Sequence, residues 1–393
     1  MPDAHTTLLT RRDLLAAAAA LGTAGAAAAL WPAELAAQAL PGKHAQLTAL
    51  SVRPPDYETP VALLDRLLTP VDAFYVRCHM PVPANTAEAG WSLAVDGEVA
   101  TPLSLRMADL RALPEVSVTV TLECAGNGRA FFDPPVAGIQ WRKGAVGTVQ
   151  WTGARVADVL KRAGAAAAAT HVWVAGADRP LGTQPPFVRQ VPIAKALHPD
   201  TIVAWAMNGA PIPAAHGAPL RLVVPGWEGA YAVKWLNRLT VALKEHEGFW
   251  VATGYRYPTR RVAPGAAVDA KDTAPLTGLV VKSLITAPLD GAVVAPGPVT
   301  IAGFAWAGET AIRGVEVSTD AGATWVPARL VGDAVPYAWR RFEYTFQATR
   351  QESWTLLSRA TDVLGRAQPA VPAWNPSGYL WNAPDQVRIE VRA

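Results

Sequence analysis

The chain has 393 residues, 51% of them hydrophobic and 17% charged, with a formal net charge of +3. That length holds two or three domains with large cores and needs no disulfide framework, and so small a net charge excludes a nucleic-acid binder built on a basic stripe. The 15 Trp, 8 Tyr and 8 Phe exclude a disordered chain, the two cysteines exclude cysteine-rich zinc or iron–sulfur sites, and 34 Pro with 31 Gly favour strands and loops over long helices.

At the start, Thr10-Arg11-Arg12-Asp13-Leu14-Leu15 opens an uncharged Ala/Leu run that continues to Leu30, and Ala37-Gln38-Ala39 supplies a small-residue exit. A short basic region, an apolar stretch and an A-x-A exit mark a removable export signal, and the paired arginines make it a twin-arginine signal. The run approaches the length of a membrane span. Alanine is weakly apolar, however, so cleavage after residue 39, with no stable membrane span left, and a periplasmic or otherwise exported protein are expected. Loss of residues 1–39 leaves 33 basic against 29 acidic residues, or +4. This route carries folded proteins, often with a cofactor already inserted.

Next in chain order, residues 61–68 read as a short helix, and 91–95 alternate as a strand that Asp96-Gly97 turns into a hairpin. Residues 116–122 (Val-Ser-Val-Thr-Val-Thr-Leu) form the clearest period-2 strand. Further strands are predicted at 172–174, 220–224 and 239–243, with helices at 155–163 and 193–197. Mixed elements of this kind predict an α+β front domain over residues 40–256. Trp141, Trp151, Trp173 and Trp205 are expected in its core.

Residues 257–277 turn rich in Pro, Gly, Ala and Thr without periodicity, as a linker with an edge segment does. Beyond them the pattern is strand-like at 299–306, 314–318, 325–330, 341–346, 354–360 and 387–391, with Thr319-Asp320-Ala321-Gly322 as a hairpin loop. About seven short strands of this kind predict an all-β immunoglobulin-like sandwich over residues 278–393.

The strand at 116–122 runs into Glu123-Cys124-Ala125-Gly126-Asn127-Gly128-Arg129. A cysteine at a strand end before a small-residue turn presents its sulfur where other groups can approach, and Arg129 favours its thiolate. A thiolate suits a soft metal or a nucleophilic role. Two bland alternatives stand beside it: a Cys78–Cys124 disulfide, and a pair of inert buried thiols.

The segment from Glu123 to Arg129 resembles the molybdenum-cysteine segment of the sulfite oxidase family. Upstream, Phe74-Tyr75-Val76-Arg77-Cys78-His79 resembles that family's Phe-x-Val-Arg-x-His segment. Downstream, Met207-Asn208-Gly209 through His216-Gly217-Ala218-Pro219-Leu220-Arg221 is similar to its cofactor-phosphate region, as is Val224-Pro225-Gly226-Trp227-Glu228-Gly229 through Lys234-Trp235-Leu236. The sandwich, with Trp374-Asn375-Pro376-Ser377-Gly378-Tyr379, is similar to the family's dimerisation domain.

The resemblance implies a mixed α/β molybdopterin-binding domain followed by the sandwich. It also implies one molybdenum–molybdopterin cofactor per chain, with Cys124 as the metal ligand. Cys78 becomes a neighbour of the cofactor rather than a second ligand. Arg77 and Arg129 correspond to the cationic substrate pocket, where guanidinium groups suit a small oxyanion. Arg77, His79, His216, Arg221 and Lys234 correspond to cofactor contacts, and Asp178 to a carboxylate on the pterin ring. Tyr255, five residues after Trp250, corresponds to the active-site tyrosine, with Tyr257 as its competitor.

Two departures are visible. Ser377 stands where animal-type members carry an arginine, and Gly254 replaces the carboxylate beside the tyrosine; Glu228 is similar to the bacterial thiosulfate-oxidising branch. The implied activity is oxidation of sulfite to sulfate by oxo transfer. No Cys-x-x-Cys-His haem motif is present, so electrons are expected to pass to a separate c-type cytochrome, and the chain to form a homodimer. Alternatives are a sulfane-sulfur dehydrogenase of a thiosulfate-oxidising system, an S- or N-oxide reductase, and an exported sandwich-bearing binding protein without cofactor.

Overall fold

The period-2 strand predicted at 116–122 forms as Glu115–Glu123 and pairs antiparallel with Val146–Arg155 along its whole length, from Glu115↔Ala154 to Glu123↔Val146. The computed structural model describes residues 40–392; the predicted export signal lies outside them. On the far side of Val146–Arg155 the sheet continues through Ile202–Met207, with Arg221–Val223 and Ala210–Pro211 beside that strand. Strand Glu115–Glu123 starts half-exposed and ends with Val120, Thr121, Leu122 and Glu123 all buried. Both faces of its last turn are therefore covered, and the cysteine that follows emerges inside the protein.

A second front sheet runs in the order Leu103–Arg106, Ser92–Gly97, Leu236–Ala242, His171–Gly176 and Val188–Pro192. Its Ser92–Gly97 and Leu236–Ala242 strands are parallel and its other pairs antiparallel. Helix Val156–Ala163 buries Val156, Val159, Leu160 and Ala163, the spacing of one helix face, and ends at Gly164 in the left-handed conformation. Full burial of each such Val or Leu contributes about 1.5–3 kcal/mol, and this face joins the apolar core shared with Leu93, Val174 and Leu239.

Three local expectations are corrected. Asp96-Gly97 does not turn the chain: it ends the Ser92–Gly97 strand, where Asp96 accepts from Arg238 and from the Thr240 hydroxyl (2.7 Å), and the hairpin partner begins at Leu103. The helix predicted at 61–68 shrinks to the single turn Val61–Leu63, because Leu64 is drawn into a core patch with Trp306 and Trp339. Trp141, Trp151 and Trp205 are buried, but Trp173 is half-buried with its indole donating to the Lys244 carbonyl.

Residues 257–277 carry a two-stranded ribbon, Arg256–Pro258 against Thr273–Pro275. The back of the chain is a β-sandwich. Its strand path runs Lys282–Ala287, Gly297–Trp306, Arg340–Ala348, Val326–Val331, Ile312–Ser318, Ser353–Asp362, Asp385–Val391 and Val293–Val294. The path doubles back so that Ile301 and Phe342 of one layer meet Val315, Leu356 and Ile389 of the other. Among the described residues no helix is long and apolar enough to cross a membrane. From Gly42 onward, front and sandwich pack as one compact unit.

Candidate active site

Cys124 is the first residue after its strand, and four hydrogen bonds close the turn it opens. Its N–H donates to the Ala145 carbonyl (2.9 Å), and its own carbonyl accepts from Asn127 N–H (2.8 Å). The Asn127 side chain donates to Glu123 (2.9 Å) and accepts from Ala145 N–H (3.1 Å). Glu123 also meets the Lys282 ammonium (2.5 Å) and the Trp306 indole (2.8 Å), both from the sandwich. The turn is thus braced from behind by a buried ion pair. Cys124 and Cys78 are both free thiols, so no disulfide joins them. Burial pushes the Cys124 thiol pKa up, while Arg77 and Arg129 pull it down.

A cavity opens at Cys124. Its wall carries Arg77, His79, Asp178, His216, Arg221, Lys234 and Tyr255, seven residues singled out in the sequence. They arrive on different elements. Strand Val76–Arg77 pairs with Pro55–Glu58, putting Asp56 opposite Arg77. The Asp56 carboxylate takes the Arg77 guanidinium at 3.2 Å and the Cys78 N–H at 3.1 Å. One buried acid therefore orients both residues, although burial raises its own pKa.

At the other end of the cavity, the turn Ala214–His216 closes on Gly217, whose φ of 104° suits glycine. A side chain there would strike Lys234, so the glycine lets Lys234 lie alongside. The Lys234 ammonium donates to Cys78 Sγ (2.8 Å) and the Ala215 carbonyl (2.9 Å). Arg221 donates to the carbonyls of His216 (3.0 Å) and Ala232 (3.1 Å). Burial lowers the pKa of His216, of Lys234 and of Arg221, the last to about 10. Placing three nitrogenous side chains in one buried end is costly unless an anion joins them. Asp178 faces the same cavity with a pKa that burial raises to about 6.

Tyr255 takes a backbone φ of 54°, unusual for a bulky residue. That conformation aims its hydroxyl at His79 Nε2, 2.5 Å away, while His79 stacks on Phe187 at 4.3 Å. Tyr257 lies on a separate surface pocket. Tyr379, from the sandwich, stacks on the other side of Tyr255 at 5.5 Å.

Arg129 departs from expectation. It is buried but absent from the cavity wall, because its guanidinium donates to the carbonyls of Ile139 (2.8 Å) and Ser377 (3.1 Å). It fills a slot that side chains on Gly126 or Gly378 would obstruct, 5.4 Å over the Tyr379 ring. Cys78 likewise lies behind the wall, fully buried against Lys234.

The sequence reading of the site missed Arg189. It is buried beside Glu228, 3.8 Å away, with its guanidinium over Tyr255 at 4.8 Å. Glu228 lines the cavity and burial raises its pKa to about 7. A charged residue between the apolar ends of the short strand Val188–Pro192 was the available signal.

Among the described residues no three His, Cys, Asp or Glu side chains converge as a metal cluster.

Residues 79–250 match the oxidoreductase molybdopterin binding domain, and residues 274–392 match the Mo-co oxidoreductase dimerisation domain. The chain is 38% identical to the sulfite oxidase of Gallus gallus over 363 residues, covering 87% of this chain and 78% of that protein. It belongs to the sulfite oxidase family. The mitochondrial sulfite oxidase of Mus musculus is also 38% identical, over 89% of this chain and 67% of the relative. Among solved structures, the sulfane dehydrogenase SoxCD from Paracoccus pantotrophus superposes with a TM-score of 0.76 at 27% identity, covering 92% of this chain and 93% of that one.

This family member is an oxidoreductase with a molybdenum–molybdopterin cofactor, which sets aside the cofactor-free binding protein. The residues present fit that group: a free thiol stands at one end of the cavity, and at the other a cluster of cations with no ion pair to a carboxylate among the described residues.

Proposed function

We propose that the chain oxidises sulfite to sulfate and passes the electrons singly to a separate c-type cytochrome, with no haem of its own. The observation that carries this reading is one cavity joining the Cys124 thiol to Arg77 at one end and to His216, Arg221 and Lys234 at the other. Cys124 is the metal ligand in this reading. His79, Asp178, His216, Arg221 and Lys234 hold the pterin and its phosphate, with Arg77 shared between cofactor and substrate.

When bound, the cofactor supplies oxygen-atom transfer and takes up two electrons. The protein's share is charge and orientation. Arg77, pinned by Asp56, offers a fixed guanidinium to the sulfite oxyanion. Tyr255, held against His79, presents its hydroxyl to the same space and moves protons there. Converting sulfite and water to sulfate releases two protons with the two electrons that the acceptor takes, so proton acceptors on the wall are required. Arg129 acts through its field on Cys124 and through Tyr379.

The remaining parts of the proposal concern context. Residues 1–39 are a twin-arginine signal that sends the protein to the periplasm. Residues 40–256 form the catalytic domain, 257–277 the linker, and 278–393 an immunoglobulin-like domain through which two chains pair.

A second reading, sulfane-sulfur oxidation, is supported by the buried Glu228 in the cavity wall, by Ser377 in place of an arginine, and by the likeness to SoxCD. Purified, molybdenum-replete protein assayed with sulfite and with sulfane donors, using a cytochrome c as acceptor, separates the two. Rapid cytochrome reduction by sulfite supports the first reading, and reduction by sulfane donors alone supports the second.

A further inference from the structure

We infer that Lys43, on the segment leading into the first strand, is a direct ligand of the cofactor's terminal phosphate and clasps that segment over the cationic end of the cavity. This rests on the cofactor reading above. Lys43 lies outside the matched molybdopterin domain, which begins at residue 79, and nothing in its local sequence, Gly42-Lys43-His44, announces a site.

The geometry is specific. Lys43 does not itself line the cavity; its Nζ lies 2.9 Å from Nε2 of His216, which does, and 2.5 Å from the Val71 carbonyl. The segment is pinned there by its backbone, with His44 N–H donating to the Asp72 carbonyl at 3.0 Å and Leu47 N–H closing a turn onto His44 at 3.1 Å. No described carboxylate forms an ion pair with Lys43; Asp72 attracts it from beyond contact distance. Burial accordingly drops the Lys43 pKa to about 7 and holds His216 well below its usual value.

Lys43, His216, Arg221 and Lys234 thus form a group of cationic or donor side chains that meet neutral acceptors and one another. A half-buried ammonium that meets only a neutral imidazole and a carbonyl has hydrogen-bond acceptors but no counter-charge in contact, so its desolvation is not offset. It becomes favourable when a phosphate dianion enters, because each charged donor then gains a charge-assisted hydrogen bond. Cleavage at residue 39 leaves Lys43 in the exported chain.

The test uses the full chain, loaded with cofactor, and its Lys43→Met, Lys43→Gln and Lys43→Arg variants. Molybdenum and pterin per chain are measured first, then the rate of pterin release on dilution at several salt concentrations. The Met and Gln variants should release pterin about tenfold or more faster, as loss of one charge-assisted bond implies. Their release should also depend less on salt, and Arg should restore most of the retention. Hydrogen exchange at residues 43–47 should be slower in loaded than in cofactor-free protein. Should Lys43→Met not fold, the Gln and Arg pair carries the same comparison. Parent-like release from both Met and Gln, or equal exchange in loaded and cofactor-free protein, overturns the clasp. A parent chain that carries no pterin overturns the cofactor reading instead.

Discussion

The two ends of the cavity are built by different parts of the chain. At the cysteine end the front domain supplies Cys124, Arg77 and Tyr255; its own Asp56 holds Arg77, but the sandwich braces the other two: Lys282 and Trp306 grip Glu123, Leu380 N–H donates to the Ala125 carbonyl (2.9 Å), and Tyr379 stacks on Tyr255. At the cationic end His216, Arg221 and Lys234 sit within about twenty residues of one another and use their own backbone carbonyls as acceptors. The redox end is therefore a product of packing between front domain and sandwich, while the anion end is built within the front of the chain, from one local segment joined by Lys43, and needs the cofactor to balance its charge. The sandwich has a second task beside any dimer contact: it supports the chemistry.

The sharpest way to separate the ends is Cys124→Ser. Turnover with sulfite should fall to background while pterin per chain stays near the parent value, since the anion end is untouched. Equal loss of pterin would mean the two ends do not hold the cofactor independently.

Lys282→Met should destabilise the protein by about 3–5 kcal/mol, because it strands the buried Glu123 carboxylate. Glu123→Gln combined with Lys282→Met should recover most of that loss in denaturant melts. An additive double mutant would show that the pair does not brace the cysteine turn.

At the anion end, Asp178 gives a pH signature in cofactor-free protein. Its pKa is raised to about 6 in the fold from an ordinary aspartate value of 3.8, mainly by desolvation. The folded form therefore binds a proton more tightly than the unfolded one, and stability declines as pH rises from about 4 to 6. Asp178→Asn should be more stable than the parent by about 1–3 kcal/mol above pH 6, and equal to it near pH 3. Melting curves across that range test the sign.

Tyr255→Phe should have the smallest effect, about tenfold in kcat, the equivalent of about 1.4 kcal/mol. Pterin content should not change, and a change in it would tie the tyrosine to binding rather than to proton movement.

Legibility in the sequence followed the range of the interactions. Residues 116–122 announced their strand because alternation is a local property, and the helix Val156–Ala163 announced itself through its apolar spacing. The 61–68 segment misled because its four leucines, at helical spacing, do not reveal that a distant Trp306 claims Leu64. In the site, seven residues carried by motifs meet on one cavity wall, but Arg129 does not. Its place was decided by the carbonyls of Ile139 and Ser377, the latter from the far sandwich.

By itself, then, the amino-acid sequence determined the chemical inventory: one cysteine after a strand, with a phenol, a histidine and cations in ordered motifs. It also determined the local strands and helix that follow from side-chain periodicity. Tertiary structure decided which cations face the cavity and which are consumed as struts, that Glu123 leans on Lys282, and that Lys43 reaches His216. Those outcomes depend on desolvation and on hydrogen-bond partners more than a hundred residues away. Burial makes an unpaired charge so costly that packing, rather than spacing along the chain, chooses each partner.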